Sequence, residues 1–124
     1  MNERDPVTEG VIGAAIEVHH ALGPGLLESV YETCLCHELG LRGIEHQRQA
    51  LLPITYKGVS IDAGLRLDVV LPEKLVLELK SVDSLQPIHE AQLLTYLRLS
   101  SIRCGLLINF NVRLLKDGIK RLAN

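Results

Sequence analysis

Apolar side chains recur at helical spacing near the start of the chain, at Val7, Val11, Ala14, Ala15, Val18 and Leu22. Asp5 followed by Pro6 has the form of a helix start, with Asp as N-cap and Pro at the first helical position. Gly23-Pro24-Gly25 stops this helix. A second helix is predicted over residues 26–39, with an apolar stripe of Leu27, Val30, Cys34 and Leu35 and with Gly40 placed to end it. The pattern then turns extended. Residues 44–56 read as a strand interrupted at Pro53, Lys57-Gly58 as a turn, and residues 59–71 as a second strand region. Pro72-Glu73-Lys74 forms the next turn and residues 75–81 the third strand. A helix follows over 87–99, and the apolar run at 104–110 suits a buried strand. Residues 118–122 are compatible with a short strand or a helical turn, and the whole tail from 113 to 124 is left open.

The order is α-α-β-β-β-α-β. Three consecutive strands suggest an antiparallel meander, and strand–helix–strand near the end suggests one parallel crossover. The expectation is an α/β fold: one domain over residues 1–124, with a mixed sheet and helices packed on it. The length suits one domain with one core.

Chemistry concentrates on two neighbouring strands. Strand side chains alternate, so Leu75, Leu77 and Leu79 share one face, while Val76, Glu78 and Lys80 share the other. In the preceding strand Leu65, Leu67 and Val69 alternate with Arg66, Asp68 and Val70. If Leu71 opposes Leu75 across a three-residue loop, Asp68 opposes Glu78, with Cβ atoms about 5 Å apart. A two-residue turn would set Asp68 against Leu77 instead. The first register is expected because it gathers the leucines on one side.

Two carboxylates so close repel, and one takes up a proton unless a cation compensates. Hard oxygen ligands suit Mg²⁺ or Mn²⁺. Such an ion polarises a phosphodiester and lowers the pKa of bound water. An adjacent lysine can orient that water or stabilise charge developing on the phosphate. The plainer alternative is a solvated Glu-x-Lys ion pair beside an ordinary edge aspartate, worth under about 1 kcal/mol.

Asp68, then Glu78-Leu79-Lys80, then a helix carrying Gln92 and Tyr96, resembles the PD-(D/E)xK nuclease superfamily with its trailing Gln-xxx-Tyr element. More narrowly, Gly25-Leu26-Leu27-Glu28-Ser29-Val30-Tyr31 is similar to the signature of the GxxExxY family of small prokaryotic proteins. The resemblance extends over residues 7–122 and agrees in the order and spacing of several motifs. It implies a restriction-endonuclease-like fold and a divalent-metal-dependent nuclease. Asp68, Glu78 and the backbone carbonyl of Leu79 would ligate the metal. Lys80 would be the catalytic lysine, and Glu28 the helical acid beside the metal. Gln92 and Tyr96 would touch substrate or support the site. One departure is that Leu67 stands where the superfamily nominally has proline before the aspartate.

From the residues alone, Gln92 and Tyr96 share a helix face, as do Glu28 and Tyr31. Tyr31 reads as structural, and Glu28 also fits as a first-turn acid favoured by the helix dipole. The histidines carry little: His89-Glu90 lacks the second histidine of a zinc-protease helix, and His37 and His46 stand alone.

Composition adjusts this picture. Hydrophobic residues make up 47% of the chain and aromatics 3%, with no Trp, so aliphatic side chains fill the core and base-stacking platforms are not expected. The net charge of −2 argues against strong non-specific nucleic-acid binding but allows a local basic groove. Arg113, Lys116, Lys120 and Arg121 are candidates for one; the alternative is a solvated tail. Three cysteines, an odd number, with no secretory signal suggest a reduced, cytoplasmic setting. No apolar run is long enough to span a membrane. The small surface would grip a duplex poorly, and a homodimer would relieve that shortage. The competing function is a non-catalytic module that keeps a nuclease-like fold and binds nucleic acid or protein. A hydrolase of small phosphate compounds lacks support, since there is no Gly-rich phosphate loop.

Overall fold

In the computed structural model, which describes residues 5–124, the chain folds into three helices and a five-stranded mixed sheet, with a small hairpin beside it. Helix α1 (Pro6–Leu22) starts as its sequence dictates. Asp5 accepts from the Thr8 amide at 2.8 Å and from the Thr8 hydroxyl at 2.9 Å, and Pro6 occupies the first turn. Val11, Ala14, Ala15 and Val18 are buried, while Leu22 at the end of the expected stripe is exposed.

Helix α2 spans Glu28–Leu41 and corrects two expectations. Gly40 does not end it. The helix runs one residue further and closes in a Schellman motif, in which Ile44 N–H donates to Leu39 O at 2.9 Å and Gly43 N–H to Gly40 O at 3.1 Å. Gly43, at φ 69, supplies the left-handed residue that this closure needs. The buried stripe is also rotated. Leu27 is 74% exposed and Val30 is exposed, whereas Tyr31, Leu35 and Leu39 are fully buried. Tyr31 sets that phase by stacking on Phe110, with ring centroids 4.5 Å apart.

The two long extended regions each break in two. Strands β1 (Gln47–Leu51) and β2 (Ile54–Tyr56) flank Pro53, while β3 (Val59–Ile61) and β4 (Arg66–Leu71) flank Gly64. β2 and β3 form the separate hairpin, turned at Lys57-Gly58 with both residues at positive φ. β1 pairs antiparallel with β4, and β4 with β5 (Leu75–Lys80). Helix α3 (Pro87–Ser100) then crosses over to β6 (Cys104–Asn109), which lies parallel to β5. A 3-10 turn at Leu115–Gly118 leads into β7 (Ile119–Ala123), antiparallel to β6, so the open tail contains both a helical turn and a strand. The sheet order is β1-β4-β5-β6-β7. The expected α/β architecture, a meander plus one parallel crossover, is present with extra strands.

Both faces of the sheet are covered. α1 and α2 pack on Val69, Leu71, Leu75, Leu77, Leu79, Leu106 and Ile108. On the other face Leu93 and Leu97 of α3 pack on Leu67, Val70, Val76 and Leu107. Leu67 therefore lies on the face opposite Val69 and Leu71 and shares a face with Val70, which regular alternation does not allow. The irregularity falls at Asp68. Its partner position in β1 is Gln49, whose φ is 52, and the β4–β5 ladder ends at Val69–Leu77. No helix among the described residues is long and apolar enough to cross a membrane.

Candidate active site

The expected hairpin register is present: Leu71 opposes Leu75, Val70 opposes Val76 and Val69 opposes Leu77. Where this ladder stops, side chains take over. The Asp68 amide donates to Glu78 Oε2 at 3.2 Å, and the Leu79 amide donates to Asp68 Oδ2 at 2.9 Å. Each carboxylate thus has one oxygen fixed by the neighbouring strand's backbone and a second oxygen free of those two bonds. Asp68 is half-buried, and Glu78 is only 4% exposed.

Burial dominates the electrostatics. It raises the Asp68 pKa against the lowering effect of the Leu79 amide, and Glu32 and Glu28 push the same way as burial. Glu78 is pushed up to about 8, first by burial and then by the Asp68 charge. The Asp68 amide and the Lys80 ammonium oppose that rise without cancelling it. Lys80, half-buried at the end of β5, is the cation within electrostatic reach of both acids. It makes no ion pair within 4 Å among the described residues.

Helix α3 approaches from the other side. The Tyr96 phenol is half-buried, and burial followed by the charges of Glu78 and Asp68 raises its pKa, which puts it in electrostatic contact with the pair. Gln92 lies one turn earlier on the same helix face, is exposed, and makes no hydrogen bond among the described residues. His89, set aside as a ligand, accepts from the Gln86 amide at 2.9 Å and so caps this helix.

The loop before α2 explains much of the Gly25–Tyr31 motif. Gly25 has φ 96. The Tyr31 hydroxyl donates to Gly23 O at 2.6 Å and accepts from the Leu26 amide at 3.2 Å, folding the loop over the ring. Ser81, directly after Lys80, donates its hydroxyl to Leu26 O at 2.6 Å. These bonds bring the exposed Glu28, the first residue of α2, to a surface cavity of about 370 Å³ that it lines with Leu26, Leu27, Ser29 and Ser81.

Sequence reasoning missed two supports. Glu32, one turn after Glu28, is buried and accepts from Arg48 Nε at 2.6 Å and from the Gln49 side-chain Nε2 at 2.8 Å, which ties α2 to β1 opposite Asp68. Its i,i+4 spacing from Glu28 was the available signal. Asn109, 2% exposed, accepts from the Val82 amide at 3.0 Å and donates to Val82 O at 2.9 Å, clamping the chain that leaves β5. Its signal was a lone amide inside an apolar strand.

The donor set suits a hard divalent cation: two carboxylates with an oxygen each to offer, at a place where their mutual repulsion needs compensation. Among the described residues no three His, Cys, Asp or Glu side chains converge as a complete cage. A hard divalent cation can be held by one or two carboxylates while it retains several waters. A family model described as the PD-(D/E)XK nuclease superfamily matches residues 5–122. No curated protein and no solved structure matches the chain.

Proposed function

Since the chain belongs to the PD-(D/E)XK nuclease superfamily, we propose that it hydrolyses phosphodiester bonds of nucleic acid with a divalent cation, Mg²⁺ or Mn²⁺, held by Asp68 and Glu78. The observation that carries this reading is the interlock of the two carboxylates across the opened end of the β4–β5 hairpin, with Lys80 beside them. The Leu79 backbone carbonyl would complete the protein's share of ligands, and Glu28, at the start of α2, would be the helical acid whose charge acts on both carboxylates. When bound, the cation supplies Lewis-acid polarisation of the phosphate and a water of lowered pKa.

The chain's own residues do the rest. Asp68 and Glu78 are held in place by backbone amides, so little reorganisation accompanies binding. Glu78, whose pKa burial and the Asp68 charge push up to about 8, would hold the cation as its carboxylate. Lys80 places positive charge where the phosphorane's negative charge develops and orients the attacking water. Tyr96 and Gln92 contact or support the substrate from α3. The Gly25–Tyr31 loop fits the narrower GxxExxY family, and the reading extends to a cytoplasmic protein that doubles its contact surface as a homodimer.

Cleavage of labelled DNA and RNA panels by the wild type, Asp68→Ala and Lys80→Ala proteins tests this directly. Activity that needs a divalent cation and drops by about a hundredfold or more in both variants supports it. Cleavage undiminished in Asp68→Ala refutes the assignment. A second reading, a non-catalytic nucleic-acid- or protein-binding module, draws on the near-complete burial of Glu78; a well-folded wild type that cleaves nothing on either panel favours it.

A further inference from the structure

We propose that the cleft between the end of α1 and the segment before β7 is a subsite for the phosphate backbone of the nucleic acid whose scissile bond lies at Asp68 and Glu78. This rests on the nuclease reading and extends it to how an acidic protein grips its substrate. The cleft has a volume of about 420 Å³ and is lined by His19, His20, Arg113 and Lys116 together with Ile16, Leu114 and Leu115, with no acidic residue in its wall.

The four basic residues of the tail divide cleanly. Lys120 is bonded to Glu90 at 2.9 Å, and Arg121 to Asp5 at 3.3 Å. Arg113 and Lys116 are exposed and make no ion pair within 4 Å among the described residues. They are the two tail cations still available to a phosphate, and both line the cleft. The backbone carrying them is held in place. His19, nearly buried, donates through Nε2 to Val112 O at 2.8 Å, because a carbonyl can only accept. Leu115 is buried between them.

The cleft is also tied to the catalytic end of the sheet. Lys80 and Asn109 are partners at the ends of parallel strands β5 and β6. Arg113 follows Asn109 by four residues, a span of at most about 14 Å of extended chain. Asn109 and Asn111 both donate to Val82 O, at 2.9 and 3.3 Å, two residues beyond Lys80. The loop at residues 23–28 joins the two regions: Gly23 and Pro24 line the basic cleft, while Leu26 and Glu28 line the cavity beside Ser81. A strand whose phosphate sits at Lys80 therefore passes over this loop onto Arg113 and Lys116. The crevice outside the carboxyl ends of parallel strands is where ligands of α/β sheets generally bind. The carbonyl end of α1 alone would repel an anion, so attraction here rests on the side-chain cations.

The test is binding of fluorescein-labelled single-stranded and duplex DNA and RNA, followed by anisotropy in EDTA across a salt series. It compares wild type, Arg113→Ala/Lys116→Ala, and the charge-matched control Lys57→Ala/Lys74→Ala, whose lysines lie on turns away from the cleft. The expected result is about tenfold or greater loss of low-salt affinity and a salt slope reduced by about 2 in the first variant only. Unchanged affinity and slope in that variant, an equal loss in the control, or no binding by the wild type overturns the proposal. Cleavage by the wild type in Mg²⁺ is read separately. Binding that behaves as expected without cleavage keeps the subsite and removes the catalytic reading. Cleavage with unaltered binding in the first variant keeps the nuclease and removes the subsite.

Discussion

The amide of Asp68 donates to the carboxylate of Glu78, while the carboxylate of Asp68 accepts from the residue after Glu78, so two acids on neighbouring strands hold each other's backbone. Those bonds replace the sheet ladder at the point where it opens. They keep both acids in place even though burial and repulsion oppose their double ionisation.

A pH dependence follows from Glu78. Its pKa rises from the ordinary 4.5 to about 8 on folding, so the folded protein holds that proton more tightly than the unfolded chain does. This group's contribution to metal-free stability is best below about pH 4.5 and declines as pH rises towards 8. Glu78→Gln keeps an acceptor for the Asp68 amide and removes the charge. In EDTA at pH 8 the variant should be more stable than wild type by on the order of 2–4 kcal/mol, with the gap closing at low pH. Urea denaturation at several pH values measures it, and a variant less stable than wild type at pH 8 contradicts the account.

Tyr31 has two separable roles. Tyr31→Phe keeps the stacking on Phe110 but loses the bonds to Gly23 and Leu26. It should cost about 1–2 kcal/mol and loosen the loop that presents Glu28. Tyr31→Ala empties a fully buried position and should cost about 3–5 kcal/mol. Equal losses in the two variants, read from denaturant midpoints, would mean that the hydroxyl carries the whole effect.

Glu32 is a support whose removal should reach Asp68. Glu32→Ala breaks two side-chain bonds to β1 and should lower stability by about 1–3 kcal/mol. Arg48→Ala, at the exposed end of the pair, should cost under about 1 kcal/mol. Thermal or urea melts of both variants decide the order, and a larger loss for Arg48→Ala reverses the assignment of which partner matters.

The sequence was most informative where one local rule acted alone. Asp5-Pro6 starts α1, Lys57-Gly58 turns the hairpin, and the three-residue loop at Pro72–Lys74 sets the register that brings Asp68 beside Glu78. It was misleading where tertiary contacts overrode periodicity. Leu27, Val30, Cys34 and Leu35 form a plausible stripe, yet the stacking of Tyr31 on Phe110 rotates α2 away from Leu27 and Val30. Leu67 changes face because of an irregularity beside Gln49 that no pattern of alternation signals. The tail's basic residues looked equivalent until Glu90 and Asp5, distant in sequence, took up Lys120 and Arg121.

The central claim is that Asp68 and Glu78 form one divalent-cation site. Calorimetric titration of Mg²⁺ and Mn²⁺ into the wild type and Asp68→Ala at neutral pH tests it most directly. The account predicts a single binding event in the wild type, accompanied by proton release as Glu78 ionises, and no binding in the variant. A folded wild type that binds neither cation, or a variant that binds equally well, would contradict it.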